Sequence, residues 1–120
     1  MIKEHPHYLL TTHPLQAGQN YISPPIPLDG YNSIRGWVYT DKECKLAIMQ
    51  SFGRNGEYRK VCRDLIVTAN QLGAFNIPVL SKYGLIIVSQ GKEASTELEC
   101  LLSLSKGEGR LNEIYNIYVT

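Results

Sequence analysis

Long apolar runs are missing from this chain. None exceeds four residues, as in LIIV, Leu85 to Val88, far short of the roughly 20 residues that a membrane-crossing helix needs. The opening stretch MIKEHPHYLLTTHPL has only Tyr8-Leu9-Leu10 as an apolar centre, flanked by Pro6 and Pro14. It is not expected to act as a secretory signal. Cysteine is also scarce. Cys44, Cys62 and Cys100 lie far apart and form no CxxC pair, which argues against the usual zinc spacings and against a disulfide framework. Free thiols in a protein made in a reducing cytoplasm are expected. An excess of one charge is missing too: Lys and Arg number 12, Asp and Glu 11, for a net charge of +1. No overall field draws such a chain to nucleic acid or to a membrane surface, and neither is expected as a partner.

Catalytic signatures are equally sparse. There is no GxSxG elbow, no HExxH and no cysteine beside a histidine, the patterns that bring a nucleophile or a metal to its partner groups. A glycosidase needs two carboxylates flanking a cleft. Asp29, Asp41, Glu57 and Asp64 fall at turns or strand ends with no pairing in their spacing. His5, His7 and His13 share the first segment with Glu4 as the only nearby carboxylate. Metal ligands need supporting groups that orient them, so a solvated or partner-contacting segment is the better reading. No enzyme, cofactor or metal is expected.

What remains is a strand pattern. At 120 residues and 43% hydrophobic, the chain can bury one core without staples. Apolar residues alternate in twos, and Gly, Pro and Asn punctuate them every eight to twelve residues, the rhythm of an all-β sandwich or barrel. In YNSIRGWVYT, Ile34, Gly36 and Val38 share one face and Arg35, Trp37 and Tyr39 the other. In ECKLAIMQSF, Cys44, Leu46, Ile48 and Phe52 share one face and Lys45, Ala47, Met49 and Ser51 the other. STELECLLSLS places Thr96, Leu98, Cys100, Leu102 and Leu104 inward, though its Glu and Leu content also permits a helix. SKYGLIIVSQG is nearly continuous and apolar, as in a strand buried on both faces. YISPPIPLDG and AFNIPVL carry prolines, which lack a ladder donor and belong at sheet edges. RLNEIYNIYVT reads as a closing strand.

The stretch QSFGRNGEY poses the one phosphate-loop question. It lacks the Lys-Ser/Thr pair, and no helical pattern follows it. Asn55-Gly56 instead suits both centres of a type I′ hairpin turn. The predicted fold is an all-β, antiparallel two-sheet sandwich, jelly-roll-like, over residues 20–120, preceded by an extended N-terminal arm at 1–19.

Two clusters and one aromatic group stand out. Lys42, Lys45, Arg54, Arg59, Lys60 and Arg63 fall along one predicted hairpin, and Glu93, Glu97 and Glu99 along a later one. They read either as solvated faces or as complementary contacts between copies or with an acidic partner. Tyr31, Trp37 and Tyr39 form a candidate sugar platform, with core packing as the alternative.

The segment from Tyr31 to Leu104, including LAIMQSFGRNG and FNIPVLSKYGLIIVSQG, resembles small β-sandwich proteins of tailed-phage virions. The resemblance is a pattern of strands and turns, so it transfers no functional residue. It lacks the acidic, Trp-bearing hairpin of several relatives. It implies a capsid decoration, or cement, protein made in the host cytoplasm and residing on the capsid surface. The implied partner is the major capsid protein, with a homo-dimer or homo-trimer bridging capsomers. Tyr8, Leu9, Leu10 and His13 are then the candidate interface. The alternative is a carbohydrate-binding or receptor-binding module of a phage tail protein.

Overall fold

The computed structural model describes residues 7–106. All regular elements there are strands. In chain order they are β1 (His7–Thr11), β2 (Asn20–Ile22), β3 (Ile26–Pro27), β4 (Ser33–Thr40), β5 (Cys44–Ser51), β6 (Arg59–Lys60), β7 (Leu65–Val67), β8 (Gln71–Pro78), β9 (Tyr83–Gln90) and β10 (Leu98–Ser105). They build two antiparallel sheets. One has the order β1-β10-β4-β8; the other has β2-β9-β5-β6, with β3 on β9 and β7 on β5. Counting β2–β3 and β6–β7 as single interrupted strands gives the pairing order of a jelly roll. The expected all-β sandwich of antiparallel sheets is therefore the fold of this chain.

Alternation sets the core. Ile34 and Val38 from β4, Leu98, Cys100, Leu102 and Leu104 from β10, and Phe75 and Ile77 from β8 point inward. Cys44, Leu46 and Ile48 from β5 and Ile86 and Val88 from β9 meet them from the other sheet. Two-residue periodicity puts every second side chain on the buried face. It also explains why β10 is a strand and not the permitted helix: a helical register would turn Leu102 away from the face that it shares with Cys100 and Leu104. Gly36 marks a close approach, since a Cβ there would lie 2.7 Å from Phe75 Cζ and closer still to the Leu101 carbonyl oxygen.

Several expectations need correction. Residues 1–19 are not an irregular arm throughout. His7–Thr11 is an edge strand, paired with β10 through Leu9↔Leu101 and Thr11↔Cys100 with a register shift between Leu9 and Thr11. Leu15, only 6% exposed, belongs to the core. Its amide donates to Ser95 Oγ at 2.9 Å, and the Ser95 amide donates to its carbonyl at 2.9 Å. A boundary at residue 19 would thus cut through the sandwich. β9 is not buried on both faces, because its residues alternate between buried and half-buried. Phe52 lies beyond the end of β5 and is 76% exposed, so the inward alternation stops at Ser51. The β5–β6 hairpin forms, with Met49↔Lys60 and Gln50↔Arg59, but by another turn. The Gly56 amide donates to the Gly53 carbonyl at 3.0 Å, so Arg54 and Asn55 are the central pair. Positive φ among non-glycines occurs instead at Asn70. The expected closing strand and His5 lie outside the described residues.

The prolines behave as expected. β2 and β3 flank the Pro24-Pro25 break and line the edge of their sheet on β9. β8, ending at Pro78, is the edge of the other sheet.

Candidate functional site

β10 and β4 are central in the four-stranded sheet, so their outward residues define its exposed face. Register places Leu9, Leu101, Trp37 and Ala74 in one row across β1, β10, β4 and β8. The neighbouring row holds Glu99, Tyr39 and Leu72. Leu9 is 57% and Leu72 61% exposed, while Leu101, Trp37 and Tyr39 are half-buried. Arg35 and Asn76 pair in the row beyond. The result is an apolar band on a sheet face, bordered by polar groups.

Around the β1 edge the band continues into a cleft of about 470 Å³. Leu9, Leu10, His13, Leu15 and Tyr21 line it. The Tyr21 hydroxyl donates to the Leu10 carbonyl at 3.0 Å, joining β2 to β1 across the open side of the sandwich. Burial of the ring raises the Tyr21 pKa, with the buried Cys100 thiol adding to it. A smaller cleft of about 340 Å³ lies at the start of β10, between Tyr39, Thr96, Glu97 and Glu99, with Thr12 and Pro14 shared with the first.

The structure gathers some of the sequence-predicted residues and separates others. Leu9, Leu10 and His13 share the β1 cleft; Tyr8, in the same strand, is 38% exposed. Trp37 and Tyr39 stand on the same face, but Tyr31 does not join them. Tyr31 precedes β4 at the opposite end, packs against the core and has Lys106 Nζ 6.0 Å from its ring centre. Leu72 and Leu101 were missed. Both were legible only as outward residues of strands whose pairing brings them beside Trp37.

The chemistry of the described residues is quiet. No group of three or more His, Cys, Asp or Glu among them could hold a metal ion. Cys44 and Cys100 are buried free thiols, and burial pushes them up to about 11 and about 12. Thiols so protonated are poor nucleophiles. The strongest depression is at Asp41, held at about 2 chiefly by the Thr96 hydroxyl and then by the Glu97 amide. That carboxylate is engaged in closing a loop. Among the described residues, no helix is long and apolar enough to cross a membrane.

No family model and no curated protein sequence matches the chain. Among solved structures it is similar to the PBSX exported protein XepA, with a TM-score of 0.78 and 24% identity over 85% of this chain. The match takes in 37% of XepA, so this chain spans well under half of that protein's length. It is also similar to a protein of Bacillus endospore appendages, described as a novel family of disulfide-linked pili. There the TM-score is 0.56 and the identity 13%, over 88% of this chain and 91% of the other. At these identities the likeness is one of fold.

Proposed function

We propose that the chain is a non-catalytic structural protein of a phage particle, and that it acts as a capsid decoration protein. The observation that carries this reading is the accessible apolar band Leu9, Leu101, Trp37 and Leu72 on a sheet face, continuous with the β1 cleft. An accessible apolar band with a polar border suits a protein–protein contact. The fold likeness to an exported protein of the phage PBSX supports a phage setting. The mechanism is stabilisation by occupancy: a protein that binds the assembled shell and not its separated subunits shifts the equilibrium toward assembly. Many copies on a symmetric shell multiply weak contacts.

Deleting residues 1–19 is a poor test, because it removes β1 and Leu15 along with the contact surface. Leu9→Glu places a charge in the band without touching the core. Co-sedimentation with empty phage capsids should be strong for the native protein and lost for Leu9→Glu. Equal binding by the two proteins counts against this surface.

One observation favours a second reading, a carbohydrate-binding module. Trp37 and Tyr39 share a face beside the cleft that holds Thr12, Glu97 and Glu99, a combination of ring and polar groups that sugars exploit. A glycan array separates the readings. Signal on an array that Trp37→Ala abolishes supports the sugar reading; a silent array removes it.

A further inference from the structure

The two ends of the sandwich carry opposite charge. β4 runs into β5 through the turn at Asp41 and Glu43, where β9 ends and β10 begins, so Glu93, Glu97 and Glu99 gather at the same end. Lys42 is tied there to Glu93 at 3.5 Å, and with Lys45 and Lys92 also at this end the carboxylates of Asp41, Glu43, Glu93, Glu97 and Glu99 remain in the majority. Glu97 and Glu99 are exposed and carry no ion pair among the described residues. The far end holds the β5–β6 hairpin with Arg54, Arg59 and Lys60, and nearby Lys82 and Lys106. Arg59 pairs with Glu57 and Lys60 with Asp64. Arg54 has no ion pair among the described residues.

Shape follows the same division. The basic end projects a braced loop. Ser51 Oγ donates to the Gly53 carbonyl at 2.9 Å, and the Tyr58 hydroxyl donates to the Arg54 carbonyl at 2.8 Å. Phe52 stands on this loop, 76% exposed. At the acidic end an open cleft of about 340 Å³ lies beside the Tyr39 ring, Pro14, Glu97 and Glu99. A loop held in one shape loses little entropy on docking.

We infer that copies of this chain associate head to tail, with the Phe52–Arg54 loop of one seated in the Tyr39–Glu97–Glu99 cleft of the next. The occupant is a second copy because the same chain carries both complementary parts. Such a contact is heterologous and generates a ring if it closes and a filament if it does not. It concerns contact between copies and stands apart from any shell, so its failure and that of the decoration reading are distinguishable.

The test uses the full chain in sedimentation velocity over a range of concentrations. Native protein should form oligomers at about 0.05 M salt and dissociate at about 0.5 M, since exposed charges are screened. Glu97→Lys/Glu99→Lys and Arg54→Glu/Arg59→Glu should each be monomeric, with affinity lower by on the order of a hundredfold or more. Mixed in equal amounts, they should associate again, because the basic loop of one variant meets the acidic cleft of the other and the reversed loop meets the reversed cleft. Thermal melting checks that both fold. Phe52→Ser, at an exposed position, reads the same contact and should weaken association. A native protein that stays monomeric at low salt overturns the inference. So does self-association of either charge-reversed variant at the native level, or a mixture that stays monomeric.

Discussion

Gln50 and Pro78 are joined through the sandwich. Gln50 is 3% exposed, and its Nε2 donates to the Pro78 carbonyl at 3.0 Å. Its Oε1 accepts from the Leu80 and Ser81 amides at 2.8 and 2.9 Å. One buried side chain from β5 therefore satisfies three backbone groups of the β8–β9 connection and holds the two sheets together at the basic end. Buried backbone groups left without a partner are costly. Gln50→Leu should destabilise the fold by about 2–4 kcal/mol, the cost of leaving several such groups unpaired. Urea unfolding measures it, and a loss under about 0.5 kcal/mol, the scale of an ordinary surface change, would show that water replaces the side chain.

Gly36 should tolerate no side chain. Gly36→Ala sets a methyl against Phe75 and the Leu101 carbonyl in the central pair of strands. Overpacking of this kind costs about 1–3 kcal/mol, and more where backbone must move. Gly18→Ala offers the contrast: no atom lies within 4 Å of its added Cβ, so only its positive φ of 75° opposes the change.

Asp41 gives a signed pH dependence. Its folded pKa is lowered from 3.8 to about 2. A depressed carboxylate contributes stability above its unfolded pKa and loses it as pH falls through the folded value. Stability should therefore drop between about pH 4 and pH 2. Asp41→Asn should lower the melting temperature at pH 7 and flatten that slope. An unchanged slope would assign the acid sensitivity to other carboxylates.

Thiol reactivity should follow burial. Cys62 is half-buried, whereas Cys44 and Cys100 lie in the core. A thiol reagent at pH 8 should label Cys62 first, with Cys44 and Cys100 reacting only after unfolding. Rapid labelling of all three in the native protein would contradict the packing.

Much of the fold was legible because β4, β5 and β10 alternate cleanly and each buries one face. β1 was not. Its pairing partner is Cys100 to Ser103, some ninety residues away, and a bulge at Leu9–Thr11 breaks the two-residue period that signals a strand. Asn55-Gly56 misled for a related reason. The dipeptide permits a type I′ turn, but the loop from Ser51 to Tyr58 is long enough to turn one residue earlier, braced by Ser51 and Tyr58. The candidate site was half visible. Trp37 and Tyr39 share a strand face in the sequence, yet their neighbours Leu101 and Leu72 come from β10 and β8. The basic and acidic clusters were visible as well, but not their separation. β5 runs the length of the sandwich between them, so Lys42 and Arg54 sit at opposite ends.

The proposed role is stabilisation of an assembled shell by occupancy. Its most direct test is the thermal or denaturant-induced disassembly of empty phage capsids with and without excess protein, alongside binding to the separated capsid subunits. The predicted result is a saturable rise in the disassembly midpoint, no measurable binding to free subunits, and no rise with Leu9→Glu. An unchanged midpoint at saturating protein, or equal affinity for shells and free subunits, would contradict it.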